Sequence, residues 1–426
     1  MIGRNTDTVR AVAWSEVCPW LCLVRIFRIS ITVRALFLGA LAVLLTVSGW
    51  AVVGTIFSPT NSMTTPWLAP HDGCPWKAVT QAIPDRPDFS GIPGVPGHPE
   101  RKTFVRQYSN PMQNVWTMLS QPAWHGLVDT NQPVCNVAYL LLCGLWSVAI
   151  WSFLGAAICR TAVVRLAVNE RIGWGAALRF AGRKWPAYFA APLFPLGGVL
   201  LAMIPIFLLG LLMSTSVGML VGGIFWPLAL IAGFLMTLLL LGLLFGWPLM
   251  WGTISTEGTD SFDALSRSYA YVFQRPLHYL FYLAIASLIG WLGWLLVRNF
   301  AAGIVWMSYW AAGWGCGGGT IFGVIDGREG LGVLTGVGAG MIRFWAGCVK
   351  LLAVGYLFSY FWTASTAIYL LLRHDVDATE MDEVFLDADA AESASDLPAV
   401  ATNRVDEPTV ENNIAETPSD ETTTNQ

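Results

Sequence analysis

The sequence predicts an all-α integral membrane protein: about six transmembrane helices as three helical hairpins, each preceded by a cytoplasmic interfacial amphipathic helix, with a disordered acidic C-terminal tail. Three observations lead there. Of 426 residues, 55% are hydrophobic and only 12% charged, about half the charged share of a soluble domain; the mean hydropathy is +0.55. Six apolar runs are long enough to cross ~30 Å of hydrocarbon, which takes about 20 residues. The arginines and lysines collect beside alternate ends of those runs, as the positive-inside rule requires. An ordinary soluble enzyme, a collagen-like chain and a wholly disordered chain are excluded.

Residues 1–34 form a cytoplasmic N-terminus, with Trp20, Val24, Phe27 and Ile31 at helical spacing as a first interfacial helix. The first span covers residues 35–57. A long arginine-bearing stretch precedes it, so it reads as a signal anchor rather than a cleaved leader. An external loop, 58–134, holds 12 of the 23 prolines and shows no long periodic run. The second span is 136–158, followed by a basic amphipathic helix over 160–186. Spans three and four are 187–213 and 228–252. A second amphipathic connector, 255–276, leads into span five at 277–297. A Gly-rich external segment, 298–343, separates it from span six at 345–371. Residues 299–343 could instead hold an extra pair of crossings, but Gly313, Gly315, Gly317, Gly318 and Gly319 make a poor lipid-facing helix interior.

The positive-inside count places 14 basic residues on the cytoplasmic side, among them Arg25, Arg28, Arg34, Arg267, Arg275 and Arg373, against eight outside. Both termini then lie in the cytoplasm, and the predicted location is the bacterial cytoplasmic (inner) membrane. The net charge of −4 hides a division. Residues 374–426 hold 15 of the 28 acids and a single basic residue, Arg404, for −14; residues 1–373 carry +10. Beyond about residue 395 the tail has too few apolar side chains to offset the entropy of ordering it.

The two connectors share a pattern. Glu170, Ala177 and Leu178 match Glu257, Ala264 and Leu265 at a constant offset of 87, and Pro186 and Pro276 follow. Trp174, Leu178, Ala181 and Trp185 form one apolar stripe. Phe262, Leu265, Tyr269, Val272 and Phe273 form the other, with Asp260 as N-cap and an Asp263/Arg267 pair at i,i+4. An internal repeat and the general need of multi-pass proteins for amphipathic connectors both account for this.

Candidate sites are few. Cys74 and Cys135 bracket the Pro-rich loop on the oxidising side and are candidates for a disulfide. Lys350, in the sixth span and seven residues past Arg343, so ~10 Å deep at 1.5 Å per residue, is an intramembrane charge of functional interest, although a lysine stem can also snorkel that distance. Arg160, Arg165, Arg171, Arg179, Arg183 and Lys184 form a cytoplasmic, lipid-facing basic cluster suited to anionic headgroups. His71, Asp72 and Cys74 offer metal-ligand types without a second ligand pair, so no metal or cofactor is expected. Cys18 and Cys22 read as packing residues. No nucleophile elbow, zinc-protease helix motif or phosphate-binding lysine loop is present, and no basic stripe suits nucleic acid.

Three segments, WLCLVRIFRISITVRALFLGALAVLLTVSGW, SFDALSRSYAYVFQRPLHYLFY and FSYFWTASTAIYLLLRHDVDATEMDEVF, resemble a group of uncharacterised bacterial multi-pass inner-membrane proteins. The resemblance covers most of residues 20–387 and implies no activity and no site residue. The sequence therefore points first to a non-enzymatic scaffold or regulator of an envelope assembly, whose tail reaches a cytoplasmic protein. A small-solute permease using Lys350, His278 and the Gly-rich segment is the alternative. A membrane enzyme acting on lipid-linked substrates comes third.

Overall fold

The computed structural model describes residues 19–57, 83, 110–128, 134–318, 320–321 and 333–385. Those residues form an all-helical bundle with no strand among them. After a 3-10 turn at Pro19–Leu21, the helices are α1 (Cys22–Ser30), α2 (Val33–Phe57), α3 (Pro111–Val128), α4 (Val134–Ala167), α5 (Trp174–Leu212), α6 (Ser216–Glu257), α7 (Ser261–Gln274), α8 (Pro276–Cys316) and α9 (Val333–Asp377). Six of them, α2, α4, α5, α6, α8 and α9, are long and apolar enough to cross a membrane.

The long helices overrun the predicted spans. α9 has 45 residues, about 68 Å at 1.5 Å per residue. α6 starts at Ser216 rather than near residue 228, because the Thr215 side chain accepts the Gly218 N–H at 3.0 Å and caps it. Much of the expected Gly-rich external segment is helix too. α8 runs through Gly313 and Gly315 to Cys316, and α9 resumes at Val333. In an apolar surround only a helix satisfies every backbone N–H and C=O, a term larger than the ~1 kcal/mol that each glycine costs. The same argument covers α5, which stays helical through Pro186, Pro192, Pro195 and Pro205. α7 and α8 do separate: pre-proline Arg275 sits at φ −130°, outside the helical region, and Pro276 opens α8.

α9 is the axle of the bundle. From Ala353 to Arg373 every residue is buried, with α2, α4, α6, α8 and α1 packed around it. The centre is aromatic: Trp251 stacks on Trp362 with centroids 4.2 Å apart, and Trp151 stacks on Phe358 at 4.8 Å. Such pairs add ~0.5–1.5 kcal/mol each beyond area burial. Where α2 crosses α9, Gly39 faces Gly355. A Cβ on either would collide with backbone of the other helix, so the glycines set how closely the two approach.

The stretch read as an unpatterned external loop contains α3. Asn110 caps it, its Oδ1 accepting the Met112 N–H at 2.9 Å, and Pro111 occupies the first turn. Met112, Val115 and Met118 are buried in the bundle, and α3 packs on α4, α8 and α9. Gln113, Asn114, Thr117 and the internal Pro122 dilute its apolar periodicity, which is why the sequence did not display it.

The connector stripes also need correction. Ala264, Ser268, Tyr271 and Val272 form the buried face of α7, whereas Phe262 and Phe273 are exposed. In α5 the buried residues are Ala177, Phe180 and Ala181, with Trp174 and Trp185 outward. In α1 they are Leu23, Ile26 and Ile29, with Val24 and Ile31 outward. The rest of each predicted stripe does face inward: Ala181 and Val272 are buried, and Trp20, Phe27, Leu178, Leu265 and Tyr269 pack against the core. The displaced large side chains face the surround, where aromatic rings favour a membrane–water boundary.

Candidate functional site: a polar junction at one end of the bundle

A dense set of interacting polar side chains lies where α6, α7 and α9 end or begin. α6 stops at Gly258, whose φ of +66° is the left-handed cap conformation that glycine adopts without strain. The carboxylate of Glu257, the last residue of α6, is thereby held against two other helices. Its Oε2 lies 2.8 Å from an Arg267 nitrogen. Its Oε1 accepts the Tyr369 hydroxyl at 2.6 Å and sits 3.7 Å from Arg373 Nε. Arg267 Nε reaches both Asp263 oxygens at 3.1 Å, and Asp260 caps α7 as the sequence suggests, accepting the Asp263 N–H at 3.0 Å. Burial works against the charge on Arg267, but the Asp263 hydrogen bond and the Glu257 and Asp263 carboxylates outweigh it and raise its pKa.

The chain beyond α9 folds back onto this junction. Arg373 donates to the Glu383 carbonyl at 2.7 Å, the Phe385 N–H donates to the Thr256 carbonyl at 2.8 Å, and the Phe385 ring covers Gly258. Tyr271 donates to Asp377, raising the pKa of the Tyr271 phenol through burial first and that carboxylate second. Tyr282 donates to Asp375 at 2.6 Å. Ala378, with φ +52°, makes the reversal out of α9. Lys184 donates to the Gly258 carbonyl, one of the free acceptors at the end of α6. Chemically the junction is a clamp: its carboxylates, guanidiniums and hydroxyls bind one another. Among the described residues, no group of three or more His, Cys, Asp or Glu side chains is placed to hold a metal ion.

The predicted basic cluster is divided. Arg160 is fully buried rather than lipid-facing; it donates to the Ser255 carbonyl at 2.8 Å and its guanidinium lies 4.2 Å over the Phe180 ring. A cation that deep needs carbonyl and ring partners, and α5 and α6 supply both. Arg165 and Arg171 instead neighbour Arg28 and Arg34 from α1 and α2. These like charges face Arg165 from α1, α2 and the turn after α4. Arg34 donates to the Ile172 carbonyl at 3.4 Å and Arg25 to Asn169 at 2.7 Å. Arg179 and Arg183 are exposed on α5.

Lys350 is half-buried on α9, about 35 Å along the helix axis from Arg373. His278 lies at the Arg373 end, its ring 6.5 Å from that of Tyr282. The two residues assigned to a solute path are therefore about 35 Å apart along the bundle and do not share a site. Cys135 carries a free thiol that donates to the Phe57 carbonyl at 2.8 Å. Cys74, His71, Asp72, Cys18 and the acidic tail beyond residue 385 lie outside the described residues. Cys22 packs against the core as expected, and burial pushes its thiol up to about 12.

Sequence reasoning missed the roles of Glu257, Tyr369 and Arg373. Glu257 stood out only as a repeat position and Arg373 only as a flanking charge. Their one sequence signal is the return of charge at the close of long uncharged runs, with Glu257 ending one that begins after Lys184. No family model, curated protein or solved structure matches the chain.

Proposed function

We propose that the protein is a non-enzymatic, multi-pass membrane scaffold that holds its acidic C-terminal segment in a fixed place for a partner protein. The observation that carries this reading is the latch: the last described residues, through Phe385, are tied to Thr256 and Arg373 at the polar junction. The chain is tied to the bundle as far as Phe385. A solubilising tail needs no such anchorage.

The bilayer position follows from charge. The 22 residues from Leu351 to Leu372 carry none, with Lys350 and Arg373 at their borders, a length that matches one crossing. Lys350 then marks an edge of the bilayer rather than an intramembrane site. The end bearing Arg373, Glu257 and the Arg28, Arg34, Arg165 and Arg171 group is the cytoplasmic one in this reading, facing anionic headgroups of a bacterial inner membrane. The six spans pair as three hairpins, with α1 and α7 at the cytoplasmic boundary.

The test is deletion of residues 395–426, with in-cell cross-linking as readout. Membrane insertion and thermal stability are expected to persist while cross-links to a cytoplasmic protein disappear. Phe385→Ala, which loosens the latch, is expected to weaken those cross-links without deleting any charge. Unfolding of the bundle on deletion, or cross-links that persist without the tail, would overturn the reading.

A further inference from the structure

A cavity of about 300 Å³ opens between α6 and α8, near the polar junction. Its floor is α9, where Phe361, Ser365 and Ile368 are all buried. Leu244 of α6 and Leu283 of α8 form half-buried walls. Tyr279 joins the two at one end, its hydroxyl donating to the Phe245 carbonyl at 3.0 Å. α3 closes the opposite side: Met112 and Trp116 line the space, and Trp116 Nε1 donates to the Leu244 carbonyl at 3.2 Å.

The lining is mainly aliphatic and aromatic, with Ser287 and the exposed Gln113 as polar points. Ser365 lies eight residues before Arg373, about 12 Å along α9, so the cavity sits at hydrocarbon depth in the leaflet beside the junction. Pockets between helices of a bundle run from roughly 300 to 1,000 Å³. This one is at the small end, narrow enough for one aliphatic chain. The half-buried walls leave it open sideways, where the adjoining medium is lipid. At its junction end stands exposed Arg275, four residues before Tyr279 at the start of α8, at the level where phosphate headgroups lie.

We propose that the cavity is a lipid site: it holds one acyl chain of an anionic phospholipid from the junction-side leaflet, with the lipid phosphate paired to Arg275. Alone, neither feature specifies a ligand; together they match the two ends of one lipid. α3 acquires a purpose on this view, since it walls the chain off from the opposite leaflet. The proposal requires that the helices cross a membrane and is independent of the scaffold reading.

The experiment reconstitutes the full chain in phosphatidylcholine vesicles doped with phosphatidylglycerol bearing a photoactivatable diazirine on one acyl chain, and maps the adducts by mass spectrometry. Adducts are expected at Met112, Tyr279 or Leu283. Ser287→Trp and, as a second filling variant, Leu283→Trp should each reduce them at least five-fold while leaving adducts on outward Leu288 and the melting temperature unchanged. Arg275→Gln should reduce cavity labelling by the phosphatidylglycerol probe several-fold, with little change for a phosphatidylcholine probe carrying the same chain. Cavity labelling that neither filling variant reduces, or cavity labelling by a diazirine prenyl phosphate with none by phosphatidylglycerol, would overturn the assignment. Labelling of Leu288 without the cavity would refute this site alone. No labelling on any long helix would refute the membrane placement itself.

Discussion

Glu257→Ala should be the most damaging single change at the polar junction, and the structure gives its size. The Glu257 side chain is 14% exposed and that of Arg373 8%, whereas Arg267 is 40% exposed. Removing the carboxylate leaves Arg373 donating to the Glu383 carbonyl alone, a nearly buried cation without a counter-charge. Breaking a buried pair from one side costs about 3–5 kcal/mol, and the 3.7 Å separation puts this one near 3 kcal/mol. Tyr369 also loses its acceptor, a further ~1 kcal/mol. Arg267→Ala should cost under ~1 kcal/mol, because solvent screens a half-exposed pair. Thermal melting of purified protein in detergent would show Glu257→Ala melting roughly 5–10 °C lower, with Arg267→Ala within about 2 °C of the parent. The discriminating variant is Glu257→Leu combined with Arg373→Met. Removing both charges together should recover at least half of the loss, since a buried pair replaced by apolar groups is often near neutral. If the double variant melts no higher than Glu257→Ala, or if Arg267→Ala is as damaging, the junction is not held by the desolvated Glu257–Arg373 pair.

At the α2–α9 crossing, Gly355→Ala should destabilise by about 1–3 kcal/mol through overpacking, while Gly338→Ala, with nothing near its Cβ, should not, as measured by the same melts. Cys22 should be alkylated roughly a hundredfold more slowly than the exposed Cys316 at pH 8, by mass-resolved labelling, because burial suppresses its thiolate. The sign for stability follows: a thiol whose pKa rises on folding from the usual ~9 to about 12 stabilises the fold below pH 9, and that contribution is lost as pH rises towards 12. Cys22→Ser should therefore flatten the alkaline end of the stability profile. Reporter fusions after residues 100, 175, 220, 265 and 390 should read out, in, out, in, in; a cytoplasmic signal at residue 100 would break the topology.

Fold class was legible because lipid imposes one solution on long apolar runs, and six such runs in the sequence are six long helices in the structure. Helix ends were not, for a physical reason. In water a glycine cluster or proline is punctuation, but where backbone groups lack water the helix continues through it, as at Pro186 and Gly313. The amphipathic stripes were legible in part: Ala181, Val272, Leu178, Leu265 and Tyr269 do face the core, but the large aromatic ends do not. Ranking residues by hydrophobicity sends Phe262 and Trp174 inward, yet in an apolar surround the inside gains little from greasiness and more from close packing, so Ala264 and Ala177 face the neighbours. The same logic hid the junction. Glu257 and Arg373 come from helix ends far apart in sequence, and Glu383 contributes only a carbonyl. Such a site has no local spacing to read; it exists because two long helices, α6 with 42 residues and α9 with 45, bring their charged ends to one level beside the short α7.

That shared level also accounts for the position of the latch. A carboxylate at the end of α6 and a guanidinium at the end of α9 are each costly to hold near hydrocarbon alone, and each lowers the cost of the other. Once they are paired, the helix ends share one height, and the Thr256 carbonyl, left open where α6 stops, is presented to the chain as it leaves α9. Phe385 closes that acceptor and covers Gly258, where a Cβ would run into its ring. Gly258→Ala should then do two things at once: strain a left-handed cap and push Phe385 away. Phe385→Ala should do only the second. If the latch holds the tail in place, Phe385→Ala will increase protease cleavage after residue 377 without lowering the melting temperature by more than a few degrees, whereas Gly258→Ala will change both. Equal cleavage in Phe385→Ala and the parent would mean that the segment after α9 rests on the junction without being held by it.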